Sequence, residues 1–330
     1  MVLKVVRILL ILLLIVSGCN RPSLKTYKRS QFLMGTIIEI TVVSSNEDIA
    51  NDAMTAAFKE IKRLEGLMST YLPDSEFSKI NNSAGIAPVS VDSEVAELIK
   101  TGIEISKLTG GGFNMAIGPA IKLWKITDGE REIPKDEELN QIRDIINYRD
   151  IEIDGNTVYL KKKGMRIDPG GIGKGYASDR AEKVLKEKNI TSGIVAVAGD
   201  LKLFGSHPDG YSWRIGIRHP RRDGLLGNID MTDVAVSTSG DYERYFIKDG
   251  IRYHHILDPD TLRPARRCQS VTIIAKKGIL ADAMATGIFV LDPDKGMALI
   301  ENMPDVEGII VDKDGKIKIS SGLTDRIKLL

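Results

Sequence analysis

Residues 279–290 read Ile-Leu-Ala-Asp-Ala-Met-Ala-Thr-Gly-Ile-Phe-Val, an almost wholly apolar stretch that Asp282 and Thr286 interrupt. The stretch predicts a buried helix, in which residues four apart share one face, so the carboxylate and the hydroxyl point the same way. An unpaired buried carboxylate normally protonates or acquires a cation, and oxygen-only ligation suits Mg2+ or Ca2+. The first interpretation is therefore a metal site. In the second, Asp282 caps the helix after the turn at 276–278 and Thr286 bonds back to a carbonyl.

A glycine-dense segment, Asp168 to Asp179, is the second indication of a ligand site. It lies between a predicted strand ending near Ile167 and a predicted helix at 176–188, so its backbone N–H groups converge where anions bind. It matches neither a Walker A motif nor a dinucleotide fingerprint. Its four glycines exceed the need of a tight turn with a solvated Lys174, which favours backbone approach to a phosphate-bearing ligand.

The remaining pattern mixes helices with hairpins. Residues 37–43 read as a strand, and residues 48–70 and 92–108 as amphipathic helices. Three segments place Asp-Gly between apolar residues and predict hairpins; they are 151–160, 245–253 and 308–319. This mixture predicts an α+β fold with mixed, largely antiparallel sheets flanked by helices. The charged loop 127–136 is the candidate internal boundary.

The N-terminus predicts export. Lys4 and Arg7 precede the apolar run 8–16, which is too short to span a bilayer and has the layout of a secretory signal. The run ends in Val-Ser-Gly-Cys19, which resembles the bacterial lipobox, so we expect a signal peptide at 1–18, a lipidated Cys19, a tether at 19–30 and one domain at 31–330.

The charge balance narrows the classes of possible partner, and the cysteine count bears on how the fold is stabilised. Removing residues 1–18 takes away two of the 46 Lys and Arg residues and none of the 45 Asp and Glu residues, so the mature chain is essentially neutral. Neutrality argues against nucleic acid as a partner. With Cys19 lipidated, Cys268 has no intramolecular partner, so stability comes from an apolar core.

Short motifs spread over the chain resemble the ApbE family of FAD:protein FMN transferases. They are Met34-Gly-Thr36, Ser69-Thr-Tyr71, Gly112-Phe-Asn114, Ile117-Gly-Pro119, 168–179, Gly199-Asp200, 237–244, His255-Ile-Leu-Asp-Pro259, Ala281-Asp282 and Ala285-Thr286. Each motif is weak alone, and their order, spacing and number are specific.

The resemblance implies a fold of two intertwined subdomains and a Mg2+-dependent enzyme that moves FMN from FAD onto a Thr or Ser hydroxyl of an acceptor protein, releasing AMP. It implies a metal site formed by Gly171, Asp282, the Ala285 carbonyl and Thr286. It also implies flavin and nucleotide contacts at Met34, Tyr71, Gly112, Phe113, Asn114, Asp168, Lys174 and Ile256. The implied acceptor is a subunit of a membrane redox complex, at the outer face of the cytoplasmic membrane.

The acceptor hydroxyl must lose a proton, and the candidate catalytic bases are His255 and Asp282. A metal-bound Asp282 would be a poor base, and an ordinary histidine titrates near neutrality, so His255 is preferred. His254 would face the opposite way in a strand.

Three positions depart from the family pattern: Asn114 replaces the usual Asp, Ala198 the first glycine of Gly-Gly-Asp, and Leu262 the glycine after Thr261. None of them removes a predicted metal ligand. Two alternative functions stay open, which are an FAD pyrophosphatase that releases FMN and AMP and a flavin-carrying lipoprotein without catalysis. A carrier has no need of a metal beside the pyrophosphate.

Overall fold

The computed structural model describes residues 23–126 and 132–330, which form antiparallel sheets and α-helices. The strands are β1 (Lys25–Leu33), β2 (Thr36–Ser44), β3 (Val89–Ser90), β4 (Ile151–Asp154), β5 (Thr157–Leu160), β6 (Gly193–Val197), β7 (Asp200–Phe204), β8 (Trp213–Arg218), β9 (Leu225–Met231), β10 (Ala235–Gly240), β11 (Tyr245–Lys248), β12 (Ile251–His254), β13 (Cys268–Ala275), β14 (Val306–Asp312), β15 (Ile317–Ile319) and β16 (Lys328–Leu329). The α-helices are α1 (Glu47–Met68), α2 (Glu76–Asn82), α3 (Ser93–Leu108), α4 (Gly118–Trp124), α5 (Asp136–Ile142), α6 (Gly173–Glu187), α7 (Gly278–Val290) and α8 (Pro293–Glu301).

The largest sheet has eight strands in the order β1-β2-β6-β7-β10-β13-β14-β15, and each neighbouring pair is antiparallel. Two three-stranded sheets, β16-β9-β8 and β3-β5-β4, and the hairpin β11-β12 are antiparallel as well. Strands from both ends of the chain belong to the large sheet, with β1 at one edge and β15 at the other. The predicted α+β class with largely antiparallel sheets is confirmed.

Strand β2 shows how the large sheet separates two apolar layers. Ile38, Ile40 and Val42 alternate along the strand and pack with residues of α1 and α6, whereas Val43 belongs to the core shared with β8 and β9. Because successive side chains of a strand point to opposite faces, the sheet lies between a helical layer and the β8-β9-β16 sheet.

Helix α7 is buried on nearly all sides, as its apolar sequence predicts. It lies against α6, β10 and β13, so its two polar residues face neighbouring elements of the protein rather than solvent. This placement puts Asp282 beside the start of α6 and Thr286 beside β10.

The three predicted Asp-Gly hairpins are confirmed as β4-β5, β11-β12 and β14-β15. Three predicted boundaries need correction. In the described range 132–330, no strand ends near Ile167, because β5 ends at Leu160 and residues 165–169 form no regular structure. Residues 25–30 of the predicted tether belong to β1, which pairs with β2 from Lys25 to Leu33. The helix expected at 176–188 begins at Gly173, inside the glycine-dense segment.

The predicted signal peptide, Cys19 and residues 127–131 of the candidate boundary loop lie outside the described residues. Within the ranges 23–126 and 132–330, none of the helices has the length and apolar character needed to cross a bilayer.

Candidate active site

The glycine-dense segment forms a turn that leads directly into α6. The Pro169 carbonyl accepts the N–H groups of Ile172 (3.0 Å) and Gly173 (2.7 Å), and the α6 N-cap, Ile172, makes no capping bond through its side chain. The N-terminal amides of a helix need partners from elsewhere. At Gly175 that partner is the Asp282 carboxylate on α7, with Oδ2 accepting the amide at 2.9 Å.

Lys174 lies between two buried carboxylates. Its Nζ is 2.7 Å from Asp282 Oδ1 and 2.6 Å from Asp200 Oδ2, and its side chain is 29% exposed. Asp200 is fixed in turn because its Oδ1 accepts the Thr238 N–H at 3.1 Å. The alternative of a solvated Lys174 is therefore wrong, and the glycine-dense segment and the apolar helix meet at one charged cluster.

Burial and charge oppose one another in this cluster. Burial raises the pKa of Asp282, an effect that the Lys174 ammonium partly offsets and that Asp200 reinforces. Burial alone would lower the pKa of Lys174, but the Asp200 and Asp282 carboxylates raise it above the ordinary lysine value. Lys174 is therefore a permanent cation in a cluster with a net negative charge when both carboxylates are ionised.

Asp282 does not cap its own helix, so the second interpretation of the segment 279–290 is wrong. Helix α7 begins at Gly278, four residues before Asp282, and its N-cap Lys277 makes no side-chain capping bond. Its first two amides are instead accepted by the Asp179 carboxylate of α6, Gly278 at 2.7 Å and Ile279 at 3.0 Å.

Thr286 lies between the glycine turn and β10. Its Oγ1 is 3.2 Å from the Ser239 hydroxyl, and a Cβ on Gly171 would lie 3.1 Å from Thr286 Oγ1. Gly171 can lie this close to the Thr286 hydroxyl of α7 because it has no side chain. The predicted ligands Gly171, Asp282 and Thr286 are brought together, and Ala285 precedes Thr286 on the same buried helix.

These oxygens fit a hard cation. Within the described ranges no group of three or more His, Cys, Asp or Glu side chains could hold a metal ion. The set here consists instead of one carboxylate, one hydroxyl and backbone carbonyls, which are ligands that Mg2+ accepts together with water and phosphate oxygens. In the described structure the Gly171 carbonyl has no hydrogen-bond donor, so it is free to take such a role.

The segment Gly112 to Asn114 lies against the same junction. A Cβ on Gly112 would be 2.6 Å from the Gly287 carbonyl of α7, and a Cβ on Gly171 would be 3.2 Å from the Phe113 ring. Asn114 is 9% exposed, and its side chain accepts the Ala116 N–H at 2.9 Å as the N-cap of a short 3-10 helix. The amide that replaces the family's carboxylate thus has a local structural role.

Met34 contacts the glycine turn from outside, and Asp168 is the first residue of the turn itself. Met34 has a positive φ of 54° in the turn between β1 and β2, donates its N–H to Glu65 Oε1 at 2.7 Å, and places its methyl 3.9 Å from a Cβ on Gly173. Asp168 accepts the Gly170 N–H at 2.7 Å. Burial raises the pKa of Asp168, against the opposing bonds from Gly170 and Thr70.

Tyr71 and Ile256 differ sharply in exposure. Tyr71 is 77% exposed and follows Thr70, which bonds to Asp168, so its ring is available beside the turn. Ile256 is only 5% exposed and its N–H donates to His254 Nδ1 at 3.3 Å. The Ile256 side chain is thus part of the core, and its carbonyl already accepts the Ala265 N–H at 3.0 Å. A ligand contact there would use the second lone pair of that carbonyl or require a rearrangement.

His255 follows β12 and has an unusual environment. Its N–H donates to the Arg244 carbonyl at 3.0 Å, while its Nδ1 is shielded from solvent and has no hydrogen-bond partner. Burial, together with His254 and Arg244, lowers the pKa of His255 to about 3. The expectation of an ordinary histidine pKa near neutrality is therefore wrong.

His254 is a satisfied core residue. Its Nε2 donates to the Ala265 carbonyl at 2.6 Å, and its Nδ1 accepts from the Ile256 N–H. The ring is 3% exposed and packs edge-on against Phe289 with 5.6 Å between centroids. Burial lowers the pKa of His254, so the folded protein holds this ring neutral.

The neutral His254 makes stability depend on pH. The unfolded chain protonates this histidine near pH 6.5 and the folded chain only at lower pH, so the stabilisation is complete above pH 6.5 and is lost on acidification. We expect His254 to contribute at most about 2 kcal/mol of the stability lost between pH 8 and pH 5. Urea unfolding of wild type and His254→Gln should show a shallower pH slope in the variant, and equal slopes would contradict this assignment.

Three residues of the junction were absent from the predicted site. Asp200 pairs with Lys174, Ser239 contacts Thr286, and Asp179 caps α7. All three lie within motifs recognised in the sequence, but local spacing gives no information on contacts between residues 26 to 99 positions apart.

Known proteins similar to this chain belong to one family. The ApbE family model matches residues 34–310. The FAD:protein FMN transferase of Treponema pallidum is 31% identical, covering 96% of this chain and 92% of its own, and that of Vibrio cholerae is 34% identical, covering 92% of each chain. The crystal structure of the ApbE protein of Thermotoga maritima superposes with a TM-score of 0.86 at 35% identity, covering 92% of this chain and 99% of that one. The curated names describe a transferase, as the sequence predicts, and the chain belongs to the ApbE family.

Proposed function

We propose that this protein is an FAD:protein FMN transferase that requires Mg2+ and attaches FMN to a Thr or Ser hydroxyl of an acceptor protein. The observation that carries the proposal is the junction of Lys174, Asp200 and Asp282 with Gly171 and Thr286. It combines a fixed cation, a buried carboxylate, the Thr286 hydroxyl and the Gly171 carbonyl at the N-terminus of α6. A helix N-terminus favours binding of an anion such as a pyrophosphate.

The reaction is a substitution at one phosphorus of FAD. The acceptor hydroxyl oxygen forms a bond to the FMN phosphorus, the bond from that phosphorus to the bridging oxygen breaks, and AMP leaves with the bridging oxygen. The hydroxyl proton passes to a base. Negative charge on the phosphate oxygens must be offset and the phosphates held in line, and most of the rate enhancement comes from this positioning.

Each residue of the junction has a part in this scheme. Asp282, Thr286 and the carbonyls of Gly171 and Ala285 would hold Mg2+, which supplies charge compensation on the phosphate oxygens when bound. Lys174 provides a second cation. Its ion pair with Asp200 would hold it in place when a metal ion competes with it for the Asp282 carboxylate.

We assign the flavin and nucleotide contacts to the residues that surround the turn. Gly112, Phe113 and Asn114 form one wall, and Met34 contacts the turn from outside. Asp168 is part of the turn, and Tyr71 offers an exposed ring for stacking. Because the Asn114 side chain caps a helix, its backbone is the better candidate for a ligand contact. Ile256 is assigned through its carbonyl rather than its buried side chain.

His255 remains the proposed base, for a different reason from the one the sequence suggested. Asp282 already accepts from Lys174 and Gly175, which leaves it poorly placed to take a proton. The His255 ring is neutral, and its Nδ1 has no partner but is shielded from solvent. The acceptor hydroxyl must therefore displace the groups that cover this nitrogen before it can donate to it and pass on its proton.

Replacing His255 with alanine should slow FMN attachment about a hundredfold, the usual loss of a general base, with little change in FAD affinity. Because burial lowers the pKa of His255 to about 3, its protonation should not reduce the rate between pH 8 and pH 5. Single-turnover transfer at saturating FAD and Mg2+ measures both effects. Wild-type rates in the variant would remove His255 from the mechanism.

Transfer itself is tested by incubating the protein with FAD, Mg2+ and an acceptor peptide containing Thr or Ser. We expect a covalently yellow peptide with the added mass of FMN and one AMP for each modified peptide. Release of FMN and AMP without peptide modification, with several acceptor sequences, would favour the pyrophosphatase. FAD binding without release of AMP would favour a carrier.

We also propose that the mature protein is lipid-anchored through Cys19 after removal of residues 1–18. An anchor would hold the enzyme at the membrane surface, and we place it at the outer face of the cytoplasmic membrane with a redox-complex subunit as acceptor. The short apolar run at 8–16, which is followed by Ser-Gly-Cys19, supports this assignment.

Replacing Cys19 with serine should prevent lipidation, because thioether formation requires the thiol. We expect wild type in the membrane fraction with a mass that includes acyl chains, and the variant as precursor or unlipidated protein. A wild-type protein that is delipidated and released at steady state would contradict the proposed anchor.

A further inference from the structure

Helices α6 and α7 lack caps of their own and supply each other's. The N-cap residues Ile172 and Lys277 make no side-chain capping bonds. Asp179 of α6 accepts the first two amides of α7, and Asp282 of α7 accepts the Gly175 amide near the start of α6. The two N-termini are therefore joined by a reciprocal pair of carboxylates.

Two glycines bring the helix starts into backbone contact. A Cβ on Gly175 would lie 2.0 Å from the Gly278 carbonyl oxygen, and a Cβ on Gly278 would lie 2.5 Å from the Gly175 carbonyl oxygen. With the backbones this close, the position of Asp282 depends on where α7 begins, and the capping bonds of Asp179 determine that point.

Lys202 ties Asp179 to the large sheet. Its Nζ, on β7, lies 3.4 Å from Asp179 Oδ1 and 3.3 Å from Glu182 Oε2, and it donates to the Lys276 carbonyl just before α7. Lys202 is 6% exposed, so Asp179 is oriented from the sheet side as well as by the two amides.

We propose that Asp179 is a positioning residue, which sets the place of Asp282 by capping α7 and so tunes the affinity of the site for a divalent cation. The metal part of this inference rests on the proposed function, because it takes Asp282 as a ligand. Partners that orient metal ligands without touching the metal typically change metal affinity about 10- to 100-fold when they are removed.

The test is Mn2+ binding, followed by electron paramagnetic resonance of free Mn2+ with a fixed excess of FAD and a protein-free FAD blank. Asp179→Ala should raise the Mn2+ dissociation constant about tenfold or more, and Asp179→Asn, which keeps one accepting oxygen, should raise it less. The matched control is Asp292→Ala, which removes the cap of α8, where Asp292 accepts the Asp294 and Lys295 amides. It should lower the melting temperature and leave Mn2+ binding unchanged.

A second measurement does not depend on metal. If Asp179 and Asp282 act through one junction, the losses of melting temperature in Asp179→Ala and Asp282→Ala should be non-additive, with a smaller loss in the double variant than the sum of the single losses. Additive losses, or unchanged Mn2+ affinity in Asp179→Ala, would overturn the positioning role. A wild type that binds no Mn2+ would overturn the proposed metal site, and the non-additivity would still decide the link between the two carboxylates.

Discussion

Replacing Asp282 with alanine is expected to abolish Mg2+-dependent FMN transfer, with a loss well above the roughly hundredfold that removal of a ligand-orienting partner costs. Asp282 is the acidic side chain of the proposed ligand set, and the other ligands are neutral oxygens. It also holds Lys174 and the Gly175 amide, at 2.7 Å and 2.9 Å. Single-turnover transfer at increasing Mg2+ measures the loss.

The stability of this variant separates a lost ligand from a lost fold. Removing one member of a buried ion pair costs about 3 kcal/mol, and this lower end of the range applies because Asp200 still pairs with Lys174. We therefore expect Asp282→Ala to fold with a reduced melting temperature. Urea unfolding of the apoprotein measures that cost.

Asp200→Asn is the matched control, because it weakens the same lysine pair without touching the proposed metal ligands. It should lose less transfer activity and keep the wild-type Mg2+ requirement. Thr286→Val should also lose less than Asp282→Ala, since water can replace one neutral ligand. Full Mg2+-dependent activity in Asp282→Ala would exclude the metal site, and equal losses in Asp200→Asn would assign the effect to Lys174.

Local sequence patterns predicted the elements of this fold well. Asp-Gly between apolar residues fixed three hairpins, and the apolar segment 279–290 matched helix α7 to within one residue. Both signals depend on neighbouring residues alone, since turn geometry and helical periodicity need no information about the rest of the chain. The shared face of Asp282 and Thr286 followed from the same periodicity.

Strand β1 shows where local patterns fail. Its sequence Lys-Thr-Tyr-Lys-Arg-Ser-Gln-Phe-Leu carries little apolar alternation, so residues 25–30 resembled a tether. The strand forms because it pairs along its whole length with β2 at the edge of the sheet. The turn between them is Met34-Gly35, with φ of 54° and 68°, and methionine is not a residue that signals such a turn.

The structure brings the predicted residues Gly171, Lys174, Asp282 and Thr286 together, but the sequence did not predict their electrostatics. Lys174, Asp282 and Asp200 are separated by 108 and 82 positions, so their charge cluster arises only when α6, α7 and β7 pack together. The pKa of His255 likewise depends on burial and on the neighbouring Arg244 and His254. A histidine's ordinary pKa is therefore a poor guide to its role before its surroundings are known.

Replacing Gly175 with alanine is expected to destabilise the protein by about 3 kcal/mol or more, at or beyond the upper end of ordinary overpacking. The new Cβ would lie 2.0 Å from the Gly278 carbonyl oxygen and 2.4 Å from its carbon. Both are backbone atoms, so no side-chain rotation relieves the overlap and the starts of α6 and α7 must separate.

Separation of the two helices would also disrupt the site. It would stretch the Gly175 amide bond to Asp282 and the bonds from Gly278 and Ile279 to Asp179, so FMN transfer should be lost even in the fraction that stays folded. Gly66→Ala is the matched control, because Gly66 lies within α1 with no atom within 4 Å of an added Cβ. There alanine should stabilise the helix by about 0.5–1 kcal/mol, since glycine costs that much in a helix interior.

Urea unfolding of both variants should give changes in the free energy of unfolding that have opposite signs. Transfer is measured on the folded protein. The same substitution then stabilises one helix and breaks the contact between two others, and the difference comes from the Gly278 backbone and the Asp282 Cβ. A Gly175→Ala protein as stable and as active as Gly66→Ala would show that the helix starts are not in contact. It would remove the geometric basis for placing Lys174, Asp282 and the glycine turn in one site.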